Sequence, residues 1–193
     1  MDTVIIQYNA GNTRSVYNAL QRLGVEARIS SDEADIRAAG RVIFPGVGAA
    51  GPAMAFLRAA GLDKLLPSLE QPVLGICLGM QLMCRYSEEG DTNCLGIFDQ
   101  DVLHFGTGAK VPHTGWNTLQ HLSSPLFKGV DENSYVYYVH SYYVPQGKTT
   151  TASTDYMLPY SAALQKDNFY ALQFHPEKSG PAGARILQNF MSL

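Results

Sequence analysis

Three short segments hold residues whose types and spacing suit one kind of chemistry, attack by an activated thiol. The first, "QPVLGICLGMQLMC" (71–84), sets Cys77 between Gly75 and Gly79 directly behind an apolar run. Gly-x-Cys-x-Gly is the thiol form of the Gly-x-Ser-x-Gly elbow, in which a strand turns sharply into a helix with the nucleophile at the corner. Glycines flank the corner because side chains there would collide with the tight turn. The helix that follows aims its free N–H groups and positive end at the sulfur, which favours the thiolate. The N–H of Leu78 is then placed to donate to an oxyanion formed on attack. Taken alone, the pattern equally describes a small hydrophobic residue packed at a strand end.

A thiol nucleophile needs a base, and the second segment, "FYALQFHPEKSG" (169–180), offers one. Pro176 biases His175 away from helical backbone, so the segment is expected to run extended. Residues i and i+2 of an extended segment share a side, which puts His175 and Glu177 together. A carboxylate so placed can orient the ring and stabilise its charged form. Cys77, His175 and Glu177 thus make a candidate nucleophile, base and orienter. His-x-Glu also serves as a metal pair elsewhere, but no cysteine or histidine cluster at ligand spacing completes a site, so no metal is expected. His104 and His121 read as ordinary strand or loop residues. The third segment, "IFPGVGAAG" (43–51), ends a strand in Pro-Gly-Val-Gly, a turn dense in backbone donors that suits a second oxyanion contact. It lacks the spacings of the nucleotide phosphate loops, and a plain glycine-rich turn stays open as a reading.

These segments need a scaffold. "TVIIQ" (3–7), "VEARIS" (25–30), "RVIF" (41–44) and "PVLGI" (72–76) read as short strands. Between them "RSVYNALQRLG" (14–24), "GPAMAFLRAAGLDKLLPSL" (51–69, broken at Gly61) and "LGMQLMCRYSEE" (78–89) have helical spacing. "SSDEADIRAAG" (30–40) is a short helix or loop. Such alternation predicts a parallel sheet covered on both faces. The C-terminal half is β-rich, from "DVLHF" through "SYVYYVHSYYV" to "FYALQF", and "PAGARILQNFM" (181–191) closes as a helix with Pro181 in its first turn. The expected fold is α/β: one domain, 1–193, with a mixed, mostly parallel sheet flanked by helices.

Bulk properties exclude several classes. At 193 residues with 46% hydrophobic side chains, the chain can bury a real core. A net charge of −3 gives no electrostatic footprint for nucleic acid or an anionic membrane. No apolar run approaches the roughly 20 residues that span a bilayer, and "MDTVIIQYNAGN" does not read as a secretory leader. Three cysteines without framework spacing suit free thiols in a reducing compartment, which points to the cytoplasm.

Taken together, "PGVG" (45–48), "GICLGMQL" (75–82) and "QFHPEKS" (173–179) resemble the class I, triad-type glutamine amidotransferases. Within that family "YNAGNTRSV" (8–16), "KVPHTGWN" (110–117) and "YYVHSYY" (137–143) are similar to the glutaminase subunits of imidazole glycerol phosphate synthases, over nearly the whole chain. The resemblance implies hydrolysis of glutamine through a Cys77 thioester, with His175 moving protons and Glu177 holding the ring. It implies oxyanion donors at Leu78 and in the Val47–Gly48 turn, and glutamine contacts at Gly48, Gln81, Glu89, Ser141 and Tyr142. It implies no cofactor. It also implies a (βα)8-barrel cyclase partner that takes the ammonia, met through Asn12, Arg14, His113, Trp116, Asn117, Tyr137 and Lys178. Without the family a lone Trp reads as core. Thr114 stands where the family often has methionine, "CLGIFDQDVLHF" (94–105) lacks a second glycine after Gly96, and "NAGN" (9–12) is an uncommon form. The rivals are a glutaminase serving another amidotransferase, which should lack "PHTGWN" beside "VHSYY", a non-catalytic regulatory homologue, and a cysteine peptidase or deglycase with its histidine placed elsewhere.

Overall fold

The structure is a computed structural model describing residues 2–9, 11–108 and 110–193. Its strands are β1 (Thr3–Ile6), β2 (Ala27–Ser30), β3 (Arg41–Gly46), β4 (Val73–Cys77), β5 (Tyr86–Ser87), β6 (Thr92–Asn93), β7 (Asp101–His104), β8 (His113–Thr118), β9 (Tyr135–His140), β10 (Tyr142–Tyr143), β11 (Thr150–Tyr156), β12 (Leu158–Lys166) and β13 (Phe169–Leu172). Its helices are α1 (Thr13–Arg22), α2 (Glu33–Ala38), α3 (Ala50–Ala59), α4 (Leu62–Leu65), α5 (Leu78–Met83) and α6 (Gly180–Phe190).

The short apolar runs pair as expected. A seven-stranded sheet runs in the order β11-β12-β13-β4-β3-β1-β2. Neighbours from β13 to β2 are parallel, and β12 and β11 are added antiparallel at one edge. Strands buried on both faces must alternate between two cores. Val4 and Ile6 pack with α2, α3 and α5, whereas Ile5, Ile43 and Leu74 pack with α1 and α6. Each fully buried aliphatic side chain contributes roughly 1.5–3 kcal/mol relative to exposure. The order has one functional consequence. β4 lies between β3 and β13, so Gly46, Cys77 and the segment leading to His175 leave the sheet side by side, with Gly46 opposite Cys77 and Leu172 opposite Ile76. Crevices at the carboxyl ends of such strands are where α/β folds bind ligands.

Most element readings hold. The 51–69 helix breaks at Gly61, whose φ of 71° suits glycine. The acidic segment is α2, capped by the Asp32 carboxylate, which accepts from the Ala34 and Asp35 N–H groups at 2.8 and 3.1 Å. One helix differs: α5 ends at Met83, and Tyr86–Ser87 is a strand rather than its last turn. The free carbonyls at its end accept N–H groups from a loop that wraps beneath it, Leu82 from Leu95 at 2.9 Å and Met83 from Phe98 at 3.0 Å. Tertiary partners therefore satisfy the carbonyls that further helix would have used. A smaller sheet (β10-β7-β5-β6) and the β8–β9 hairpin stand over the carboxyl ends of the main strands. No described helix is long and apolar enough to cross a membrane.

Candidate active site

The elbow is built as its glycines predict. Cys77 ends β4 with φ 55° and ψ −111°, and α5 starts at the next residue. A non-glycine residue in that region is strained and persists only when its surroundings hold it. Three glycines allow the surroundings to close in. A Cβ on Gly79 would overlap the Phe44 carbonyl, one on Gly75 would overlap the Met83 sulfur, and one on Gly46 would overlap the Tyr8 hydroxyl. Leu78 opens α5, in the first turn whose N–H groups have no acceptor within the helix. Cys77 is 6% exposed, and its Sγ lies 3.8 Å from the Val139 carbonyl, positioned to donate to it as the thiol.

His175 follows β13, and its ring is buried. Nδ1 lies 2.8 Å from Glu177 Oε1, so it carries the hydrogen and donates to the carboxylate. The segment reaches this contact by a turn and not by running extended. Pro176–Lys178 form a 3-10 turn, closed by the Lys178 N–H to the His175 carbonyl at 3.0 Å. His175 itself stays extended, as a residue before proline should, and Pro176 then supplies the φ that starts the turn. Asn12 Nδ2 donates to the same Glu177 Oε1 at 2.8 Å. Nε2 of His175 makes no hydrogen bond among the described residues and is the nitrogen left for Cys77. Burial pushes the imidazole pKa down, but the neighbouring Cys77 and Glu177 outweigh it, and the net value is raised to about 10. The ring is therefore charged at neutral pH.

The two residues line a pocket of about 240 Å³ together with Val47, Gly48, Leu78, Gln81, Glu89, Ser141 and Tyr142. Every residue expected to bind glutamine or an oxyanion is thus at one place. Glu89 Oε2 accepts the Ala50 N–H at 2.8 Å at the start of α3, which fixes a carboxylate at the pocket wall. Gln81 Nε2 donates to the Tyr142 carbonyl and to Gln173 Oε1, each at 3.0 Å. The site accordingly offers a nucleophile, a charged acid, free backbone donors and a carboxylate for a cationic group. Among the described residues no group of three or more His, Cys, Asp or Glu could hold a metal.

Sequence reasoning missed His140, Pro112, Val139 and Gln173. His140 lines the pocket and donates from Nδ1 to the Tyr142 carbonyl at 2.7 Å, while its Nε2 lies 3.2 Å from both His113 Nδ1 and the Tyr160 hydroxyl. Burial lowers His140 to about 3 and His113 to about 4, so both are neutral. The structure brings the pair together through their facing register in the β8–β9 hairpin. Stability then depends on pH with a definite sign. Between about pH 4 and 6.5 the unfolded chain binds protons at these two positions and the folded chain does not, so acidification favours unfolding. Chemical denaturation should show stability falling by up to about 2.7 kcal/mol per pH unit from this pair in that window, and His140→Gln should roughly halve the slope. An unchanged slope would remove the buried neutral pair from the account.

The residues expected at a partner interface divide. Trp116 is 55% exposed, contrary to a core reading, and meets Tyr137 edge-on at 5.9 Å. Lys178 Nζ sits over the same Tyr137 ring at 5.9 Å, and Asn12 lies against Glu177. Arg14 stacks over Tyr17 at 5.3 Å, and Asn117 donates to the Asp155 carbonyl at 2.9 Å. His113 is the exception. It is buried, stacked on Tyr156 with centroids 3.9 Å apart, so it supports this surface from below. His104 and His121 are structural, His104 accepting from the Gly106 N–H and His121 bonding to Ser153. Cys84 and Cys94 lie under the elbow helix and its loop, away from the pocket.

A family model described as glutamine amidotransferase class-I matches residues 4–193. The chain is 60% identical over 196 residues to the imidazole glycerol phosphate synthase subunit HisH of Bacteroides fragilis (strain YCH46), with 100% of both chains covered. It is 44% identical over 196 residues, again with full coverage of both, to the protein of the same name from Escherichia coli (strain K12). Among solved structures it is similar to PurLQS from Thermotoga maritima, with a TM-score of 0.73, 17% identity, and coverage of 99% of this chain and 97% of that one. That last likeness speaks for the fold alone.

Proposed function

This chain belongs to the class-I glutamine amidotransferase family and is the glutamine-hydrolysing subunit of an imidazole glycerol phosphate synthase; we propose that Cys77, His175 and Glu177 carry its chemistry. One observation supports the assignment above the rest: a strained cysteine at the strand–helix corner shares a pocket with a histidine whose far nitrogen is fixed by a buried carboxylate.

Glutamine enters with its ammonium group at Glu89 and its side-chain amide at Cys77. The sulfur attacks the amide carbon, and the negative oxygen so formed takes hydrogen bonds from the Leu78 N–H and from the Val47–Gly48 turn. His175 gives its Nε2 proton to the nitrogen as the C–N bond breaks, releasing ammonia and leaving a glutamyl thioester. A water then attacks the thioester, His175 takes its proton and is charged again, and the C–S bond breaks to return the thiolate and free glutamate. Glu177 holds the ring in one tautomer and stabilises its charged form, as the third member of a triad does. Gly48, Gln81, Ser141 and Tyr142 shape the remaining walls. Free thiols suit work in the reducing cytoplasm.

The ammonia goes to a (βα)8-barrel cyclase docked on the face that carries Asn12, Arg14, Trp116, Asn117, Tyr137 and Lys178. Trp116 is the natural anchor, since aromatic residues, tryptophan among them, are enriched at interface centres. Asn12 reaches from that face to Glu177, which gives docking a direct route to the triad. Glutamate release measured with and without the cyclase partner and its ribotide ligand tests this reading. Low basal turnover and a rise of about 100-fold or more with the loaded partner are expected. Full turnover in isolation, or none in the complex, would overturn it.

A further inference from the structure

We propose that Gln173 is a further catalytic residue, its side-chain amide donating to the Cys77 sulfur and favouring the thiolate; this rests on Cys77 being the nucleophile.

Gln173 is fully buried, two residues before His175, with Phe174 between them turned into the core. Gln173 and His175 therefore leave β13 on the same side, toward Cys77. Gln173 Nε2 lies 3.9 Å from Cys77 Sγ. Which end of the amide faces the sulfur follows from the neighbouring bonds. The Tyr142 carbonyl can only accept, so the Gln81 atom 3.0 Å from it is the NH2 nitrogen. That same nitrogen lies 3.0 Å from Gln173, so the Gln173 atom facing it is the oxygen. The NH2 group of Gln173 is left pointing at the sulfur. The Tyr142 carbonyl is itself held by the His140 Nδ1–H at 2.7 Å, so the chain of bonds is anchored at both ends.

Cys77 thus has two partners with opposite preferences. The Val139 carbonyl at 3.8 Å can only accept, and it suits the S–H form. The Gln173 N–H can only donate, and a hydrogen bond to a charged sulfur is roughly twice as strong as one to a neutral group. A buried donor left without a good acceptor is costly, and a thiol sulfur accepts only weakly, so the amide draws the sulfur toward the reactive state. Because Gln81 also lines the pocket, a bound substrate that shifts Gln81 is felt at the sulfur through this amide.

The test uses the complex with the cyclase partner, comparing wild type, Gln173→Leu and Gln173→Glu. Iodoacetamide alkylation is mapped by mass to Cys77 across pH, and glutamine kinetics are measured alongside. For Gln173→Leu the alkylation midpoint should rise by about one pH unit, a tenfold loss of thiolate. kcat should fall about 10-fold with KM changed less than about 3-fold. Gln173→Glu keeps the volume and the acceptor for Gln81 but sets a carboxylate at the sulfur, and should raise the midpoint further; it carries the test if the leucine variant does not fold. A midpoint and kcat equal to wild type in a folded variant would overturn the proposal. A Cys77→Ala protein that still hydrolyses glutamine would instead overturn the nucleophile assignment beneath it.

Discussion

Cys77→Ala should lose glutamine hydrolysis by about 10⁴-fold or more while keeping its melting temperature and its affinity for the cyclase partner. The asymmetry follows from where the side chain sits. Sγ is one small atom that also lines the pocket, at the margin of the core cluster that includes Ile76, so removing it leaves little cavity to destabilise the fold. The strained backbone at φ 55° is held by Gly46, Gly75 and Gly79, none of which changes. Only the chemistry goes. Cys77→Ser should fare no better, because a hydroxyl beside the same imidazole is far less ionised than a thiol. Glutamate release in the complex, with thermal unfolding and partner titration as controls, measures all three quantities. Residual activity near wild type in either variant would contradict the triad.

The second large effect is electrostatic. Glu177→Gln preserves shape and can still accept from His175 Nδ1 and from Asn12, so the ring should stay in place. What it removes is the negative charge that helps lift His175 to about 10 against its burial. The direction is fixed by which form works. His175 must be protonated to release ammonia, so activity falls as pH rises through its pKa. Lowering that pKa brings the alkaline limb of kcat/KM down by at least about one pH unit, and kcat at neutral pH should drop roughly 10²- to 10⁴-fold. Stability follows the same linkage. A raised histidine contributes stability that is complete below about pH 6.5 and gone above about pH 10. The variant should lose the part of that dependence that Glu177 supplies, Cys77 still raising the ring, seen as a flatter stability profile between pH 6.5 and 10. A pH–rate profile that does not move would mean that Glu177 only packs against the ring.

Much of this site was legible because short motifs specify backbone and not only side chains. Gly75, Cys77 and Gly79 encode a corner that nothing larger could occupy, and the structure fills the space above each glycine with a neighbour. The apolar runs of β1, β3 and β4 were legible for the same reason: strands buried on both faces leave few other arrangements. Where local pattern was overruled, contacts from elsewhere in the chain decided. Periodicity carries α5 on to Glu89, but the loop at 95–98 takes its carbonyls first. His175 and Glu177 were paired correctly for an incomplete reason, since Pro176 begins a turn after an extended histidine. Trp116 reads as core by residue type and is exposed because its hairpin stands at the edge of the molecule over the site. Gln173, just past the end of β13, and His140, the last residue of β9, are polar residues in apolar segments, and a strand pattern alone does not say what a buried amide or imidazole faces. A polar residue at a fully buried position is the signal that could have found them.

The central claim is that glutamine becomes covalently bound to one sulfur on its way to glutamate. Rapid quenching of the complex during turnover, followed by intact mass and peptide mapping, tests it most directly. The account predicts a glutamyl adduct on the peptide containing Cys77, forming and decaying at rates that match steady-state glutamate release, and accumulating when hydrolysis is slowed. Turnover at full rate with no adduct at Cys77, or with the adduct on Cys84 or Cys94, would contradict it.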